Sequence, residues 1–134
     1  MPRQYIGVPE SDSWLTTRAY SSAVVTGGGK TVWLAGHVGT SADDGRSLIG
    51  NFEAQVRQTF HNIESTLKQV GSSLQDIVTM TVYILDVRQG DRFVQLRREI
   101  FKKDFPCSAL ITVAGFANAE IMVEIIPVAV IGDR

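Results

Sequence analysis

The chain has 134 residues, 44% of them hydrophobic and 20% charged, the balance of one soluble globular domain with a usable core. A formal net charge of −1 gives no global field toward nucleic acid or anionic membrane, and a single cysteine, Cys107, excludes an internal disulfide. No apolar run approaches transmembrane length and no basic-then-apolar leader opens the sequence, so a cytoplasmic location without a membrane partner is expected.

Taken in chain order, residues 1–18 are polar and are expected to form a loosely packed N-terminal arm of a single domain spanning 1–134. Residues 20–25 and 31–35 are β-rich runs separated by Gly27-Gly28-Gly29-Lys30, which predicts a hairpin. A polar loop follows to Gly50, turning at Asp43-Asp44-Gly45. Phe52, Val56, Phe60, Ile63, Leu67 and Val70 recur at spacings of four and three, the stripe of an amphipathic helix over 51–70. Asn51 is its N-cap and Gly71 its left-handed stop.

Residues 77–85 read as a strand that is apolar on both faces. Asp91 is expected to cap a second helix whose buried stripe is Phe93, Leu96, Ile100 and Phe101. That helix must end near Phe105, because Pro106 disfavours helix in the residue before it. Its charges Arg97, Arg98, Lys102 and Lys103 read as a solvated basic face. Two further strands, 108–113 and 121–131, complete the chain, with Pro127 expected at a bulge or at a position that need not donate to the ladder.

The order β-β-α-β-α-β-β predicts an α+β fold, a sheet of about five strands with both helices on one face. The other face lacks cover within the chain although its strands are apolar, which points to a homo-oligomer closing sheet on sheet.

Glu124 lies inside the most apolar run, 121–131, where a valine would serve the strand equally well. A carboxylate there must be hydrated, paired or protonated, which marks it as a general acid/base or a water-positioning group, with an interface ion pair as the alternative. His37, after a strand and between glycines, reads either as a polar site residue or as a loop residue. Cys107 lacks a neighbouring base and reads as a small strand hydrophobe, and His61 falls on the solvated side of the first helix. Two distant histidines and one cysteine match no metal-ligand spacing, so neither metal nor cofactor is expected. The triple glycine with Lys30 lacks P-loop spacing.

These segments together resemble the RidA/YjgF/YER057c family of reactive-imine deaminases. The resemblance rests on Tyr20-Ser21-Ser22-Ala23-Val24, Leu34-Ala35-Gly36-His37-Val38, the run from Gln55 to Ile63, the run from Asp76 to Tyr83, Phe105-Pro106-Cys107-Ser108 and Val123-Glu124-Ile125. It implies a chorismate-mutase-like sheet of five to six strands and a homotrimer with small-molecule pockets at the subunit clefts. It also implies a water-orienting role for Glu124. Tyr20, Gly36, His37, Gln95, Cys107 and Ser108 fall at or beside substrate-binding positions. The family's carboxylate-binding arginine is replaced by Ser108, so the site is expected to hold Glu124 without the cation that usually accompanies it.

The activity this implies is hydrolysis of the C–N bond of a small enamine or imine, an aminomuconate-like compound being one candidate. Two other readings stay open: a non-catalytic trimer that binds a small metabolite, and an endoribonuclease-like translation inhibitor. Nucleic acid is disfavoured as a partner by charge.

Overall fold

A computed structural model describes residues 2–7 and 18–133. The strands are β1 (Gln4–Ile6), β2 (Ala23–Val25), β3 (Lys30–Trp33), β4 (Ile77–Ile84), β5 (Cys107–Thr112) and β6 (Val123–Ile131). The helices are α1 (Phe52–Lys68) and α2 (Gly90–Phe101), with short 3₁₀ turns at Leu74–Asp76 and Val87–Gln89. The main sheet has the order β3-β6-β4-β5, antiparallel except for the β4–β5 pair. That parallel pair needs a crossover, which α2 provides.

α1 forms where its periodicity places it. The Asn51 side chain accepts from the Ala54 amide at 3.0 Å, and Gly71 beyond the last turn has φ +74°. Phe52, Val56, Phe60, Ile63 and Leu67 are buried, whereas Val70 lies past the helix end and is exposed. Phe60 stacks on Phe93 and meets Phe101 edge-on, which locks the two helices together. Beneath them lie Met80, Val82 and Ile84 of β4 and Val123, Ile125 and Ala129 of β6. Pro127 sits opposite Met80, next to a register break between Ile77 and Thr79.

Two expectations, on β2 and on Asp91, are corrected. β2 pairs with β1 in a separate two-stranded sheet, not with β3. The intervening Gly29 packs on β6 so closely that a Cβ there would lie 2.2 Å from the Ile131 carbonyl oxygen, which steers β3 onto β6. The N-terminal arm is anchored where it is described. Arg3 is buried, grips Asp133 through both carboxylate oxygens, and donates to the Val130 and Gln75 carbonyls. Residues 8–17 lie outside the described residues. Asp91 is not the cap of α2: the Val87–Gln89 turn runs directly into the helix, and Asp86 caps that turn.

The sheet face away from the helices carries Trp33, Tyr83, Ile111, Ile126 and Val128, as the strand registers require. Trp33 is 79% exposed. This is the uncovered apolar face expected from the strand composition. Among the described residues no helix is long and apolar enough to cross a membrane.

Candidate functional site

Glu124 occupies the open face of β6, directly across from Tyr83 on β4. It is half-buried, and among the described residues its carboxylate has neither a hydrogen-bond nor an ion-pair partner. The segment after β3 is pinned beside it by a two-way bridge, the His37 amide donating to the Ile125 carbonyl at 2.8 Å and the Ile125 amide to the His37 carbonyl at 3.0 Å. Gly36 then packs against the carboxylate so tightly that a Cβ would stand 2.2 Å from Oε2. Only glycine leaves that oxygen in place. From the other side, buried Gln55 of α1 receives the Met122 amide and donates to the Leu48 and Glu120 carbonyls, fixing the start of β6.

Ser108 does not share that face. Its register partner is Met80, so its side chain points into the helix layer, on the opposite side of the sheet from Glu124. Within one protomer the two residues therefore do not meet. What meets Ser108 is Arg97 of α2, whose Nη1 donates to Ser108 Oγ at 2.7 Å. Nη2 donates to the Arg18 carbonyl at 2.7 Å, and the guanidinium lies 5.3 Å from the centre of the Phe93 ring.

Arg97 is only 3% exposed, which corrects its assignment to a solvated basic face. Its position one helical turn after Phe93 and one turn before Phe101 puts it on the buried stripe. Burial, with a smaller push from Arg18 and a pull back from Tyr20, brings its pKa down to about 10, so the cation persists at neutral pH. Its Nε is buried without a hydrogen-bond partner.

Tyr20 is half-buried near this guanidinium, on a segment tied to the approach to β5 by Ser21, which bonds the Phe105 and Pro106 carbonyls. Beside Ser108 on the same strand face, Leu110 lines a cavity of about 270 Å³ shared with Arg18, Gly90, Asp91 and Thr112. A larger cavity of about 650 Å³, between the N-terminal strand and the end of α2, touches none of the candidate residues.

The remaining candidates are spread out. The His37 ring turns to α1, Nε2 lying 2.8 Å from Thr66 Oγ1, while Nδ1 is 2.8 Å from the Ala35 carbonyl and must donate to it. Gln95 is exposed on α2 and accepts from Arg92. Cys107 is half-buried and, paired with Thr79, belongs to the open face. His61 is exposed and bonded to Asp43, as its place on the helix predicts. Among the described residues no three His, Cys, Asp or Glu side chains cluster as a metal site.

The sequence model of the family described as Endoribonuclease L-PSP matches residues 11–131. The chain is 30% identical to a RutC family protein of Aquifex aeolicus over 81% of this chain and 87% of that one. It is 26% identical to the human 2-iminobutanoate/2-iminopropanoate deaminase, covering 84% and 80% respectively. Among solved structures, the Rid-family protein YyfB of Yersinia pestis superimposes with a TM-score of 0.82 at 24% identity, covering 98% of this chain and all of that one. The Mycobacterium tuberculosis protein Rv2704, of the YjgF/YER057c/UK114 family, gives 0.67 at 27% identity over 96% and 99%. With the fold, the segment order and a family match over nearly the whole length in agreement, the chain belongs to the Endoribonuclease L-PSP family, which is the RidA/YjgF family.

Proposed function

We propose that the protein hydrolyses the C–N bond of a small imine or enamine, with Glu124 handling the water. The observation that carries this reading is a carboxylate without a partner among the described residues, held against Gly36 on a sheet face otherwise built of apolar residues and threonines. Such a group is free to accept a proton from water as the water oxygen bonds to the imine carbon and the nitrogen is protonated. Returning that proton to nitrogen lets the C–N bond break; as ammonia leaves, the hydroxyl proton passes to Glu124 and on to solvent, leaving the carbonyl and balancing the proton the imine nitrogen took from solvent at the start. With an enamine, protonated Glu124 first delivers its proton to carbon, giving the imine. Two relatives named 2-iminobutanoate/2-iminopropanoate deaminase support the reaction class.

One protomer does not bring Glu124 to Ser108, since the sheet separates them. The proposed assembly is a homotrimer in which the open face of one copy meets the Ser108, Tyr20 and Leu110 edge of the next, with the substrate in between. Burial of Trp33, Ile126 and Val128 would drive that association. A cytoplasmic, cofactor-free enzyme fits this chemistry.

Ammonia release from a panel of small imines and dienamines is the test. Wild type should turn over at least one member, and Glu124→Gln should remove about 10²- to 10⁴-fold of that rate. Saturable binding of panel members without ammonia release would instead establish the metabolite-binding reading, which the absence of a strand arginine at Ser108 favours. The ribonuclease reading loses support from the burial of Arg97, which removes one cation from the basic helix face.

A further inference from the structure

The cavity of about 650 Å³ is walled by the N-terminal strand around Arg3 and Tyr5, by Gln75 and by the run from Phe101 to Asp104 that ends α2. Sites for small organic molecules take about 300–1,000 Å³. None of the residues assigned to the Glu124 cleft lines it.

The wall beyond α2 has a strained backbone. Lys102 has φ +68° and ψ −51°, and the Lys103 amide donates to the Phe101 carbonyl at 2.7 Å. That is a γ-turn of the rare, strained kind, centred on a residue that carries a side chain. Asp104, two residues on, is left-handed as well, at φ +52°. Glycine takes such conformations freely and is the common way to end a helix. The chain keeps Lys102-Lys103-Asp104 there instead, and strain of this kind clusters at active sites and ligand clamps.

The polar groups at this cavity fall into two sets. Arg3 offers five N–H groups, and five oxygens take them: both of Asp133, the Val130 and Gln75 carbonyls and the Tyr5 hydroxyl. Arg3 is a finished wall with no donor left for a ligand. Tyr5, having accepted from Arg3, keeps its own O–H to donate, and no described residue takes it. Lys102, Lys103 and Asp104 are exposed and form no ion pair among the described residues. Two ammonium groups beside one carboxylate leave a net single positive charge. The rest of the lining is apolar: the Tyr5 ring, Pro2, the visible edge of Phe101 and the lysine stems.

We propose that this cavity is a second ligand site, separate from the Glu124 cleft, for a small aromatic monocarboxylic acid. The ligand carboxylate meets Lys102 and Lys103 and accepts from the Tyr5 hydroxyl, while its ring lies on Tyr5, Pro2 and Phe101. A net single positive charge suits a carboxylate better than a phosphate monoester, which carries about −1.5 to −2 at neutral pH. A bare inorganic anion leaves most of the volume and all of the apolar lining unused. The site stands whether or not Glu124 handles water.

The test is calorimetric titration of the full-length protein with 2-naphthoate, the neutral 2-naphthamide and 2-naphthyl phosphate, with amide NMR spectra to report where the acid binds. Wild type binds the acid more tightly than the amide and at least as tightly as the phosphate ester. The amide signals of residues 3–5 and 101–104 shift as the acid is added. Lys102→Gln/Lys103→Gln, at two exposed positions, weakens the acid by about tenfold, leaves the amide unchanged and keeps ammonia release at the wild-type rate. Tyr5→Phe weakens the acid by about threefold. Lys102→Gly relieves the turn, so the variant unfolds at higher denaturant yet binds the acid less tightly. Wild type that binds neither acid nor amide, or both alike, overturns the proposal. So do shifts confined to signals around Gly36 and Ser108, or an acid affinity that the double lysine variant leaves intact. Tighter binding of the phosphate ester than of the acid overturns the ligand class.

Discussion

On the open face of the main sheet Glu124 keeps a carboxylate without a partner among the described residues, while on the covered face Arg97 keeps a guanidinium bonded to Ser108 and to the Arg18 carbonyl. The first charge is half-exposed and rests against Gly36; the second is sealed beneath helix side chains. A third arrangement, Arg3 with Asp133, shows what a structural ion pair looks like in the same molecule: both side chains buried, bidentate, and further bonded by the Val130 carbonyl and the Gly27 amide. Arg3 is neutralised where it lies, whereas among the described residues no carboxylate meets Arg97. Burial alone therefore does not set the three charges apart; the presence of a counter-charge among the described residues does.

The strongest way to break this contrast is on the open face. Gly36→Val should displace the Glu124 carboxylate and lower ammonia release by about 10²-fold or more, while melting temperature changes little because residue 36 is exposed. A comparable loss of stability would instead make Gly36 a folding residue.

The two arginines should then part company in denaturant unfolding. Arg3→Met leaves Asp133 buried and unpaired and should destabilise the protein by about 3 kcal/mol. Arg97→Met removes an unneutralised charge and should leave stability unchanged or raise it by as much as about 3 kcal/mol. Equal losses from both would erase the distinction.

Acid stability sharpens the same point. Burial pushes the Asp133 carboxyl up, but hydrogen bonds from Arg3 and the Gly27 amide outweigh it and hold the group below its ordinary value of 3.8. A lowered folded pKa means that this contribution to stability is complete above about pH 4 and is lost as pH falls through the lowered value. Asp133→Asn should therefore flatten the acid limb of the stability curve below pH 4, measured by denaturant midpoints at successive pH values.

The smallest expected effect is at His37, whose ring faces α1 rather than Glu124. Thr66→Val removes one ring partner and should destabilise by about 1 kcal/mol without changing turnover. A pronounced activity loss would draw His37 into the site.

Much of this was legible in the sequence, for identifiable reasons. α1 announced itself through Phe52 to Leu67 at helical spacing between a capping Asn51 and Gly71, all local signals. Glu124 stood out because a charge broke an apolar strand. The pairing of β1 with β2 was hidden, since nothing local ties Gln4–Ile6 to Ala23–Val25, and the intervening glycines imitated a hairpin. Asp91 imitated a cap because the preceding 3₁₀ turn leaves no local trace. Arg97 was missed because arginine defaults to solvent, although its spacing of four from both Phe93 and Phe101 placed it on the buried stripe. Which face Ser108 takes depends on its register with Met80, a long-range fact that its neighbours in the chain do not carry.

The proposed site draws Glu124 from one copy and the Ser108 edge from another, because the sheet separates them within a protomer. Subunit mixing tests this most directly. Glu124→Gln and Ser108→Trp, which fills the other half of the cleft, each nearly inactive alone, are unfolded together in equal amounts, refolded, and assayed for ammonia release. Random assembly leaves about a quarter of the shared sites with both halves intact, so the mixture should recover about a quarter of wild-type turnover. A mixture that exchanges subunits yet stays as inactive as its parents would contradict the account.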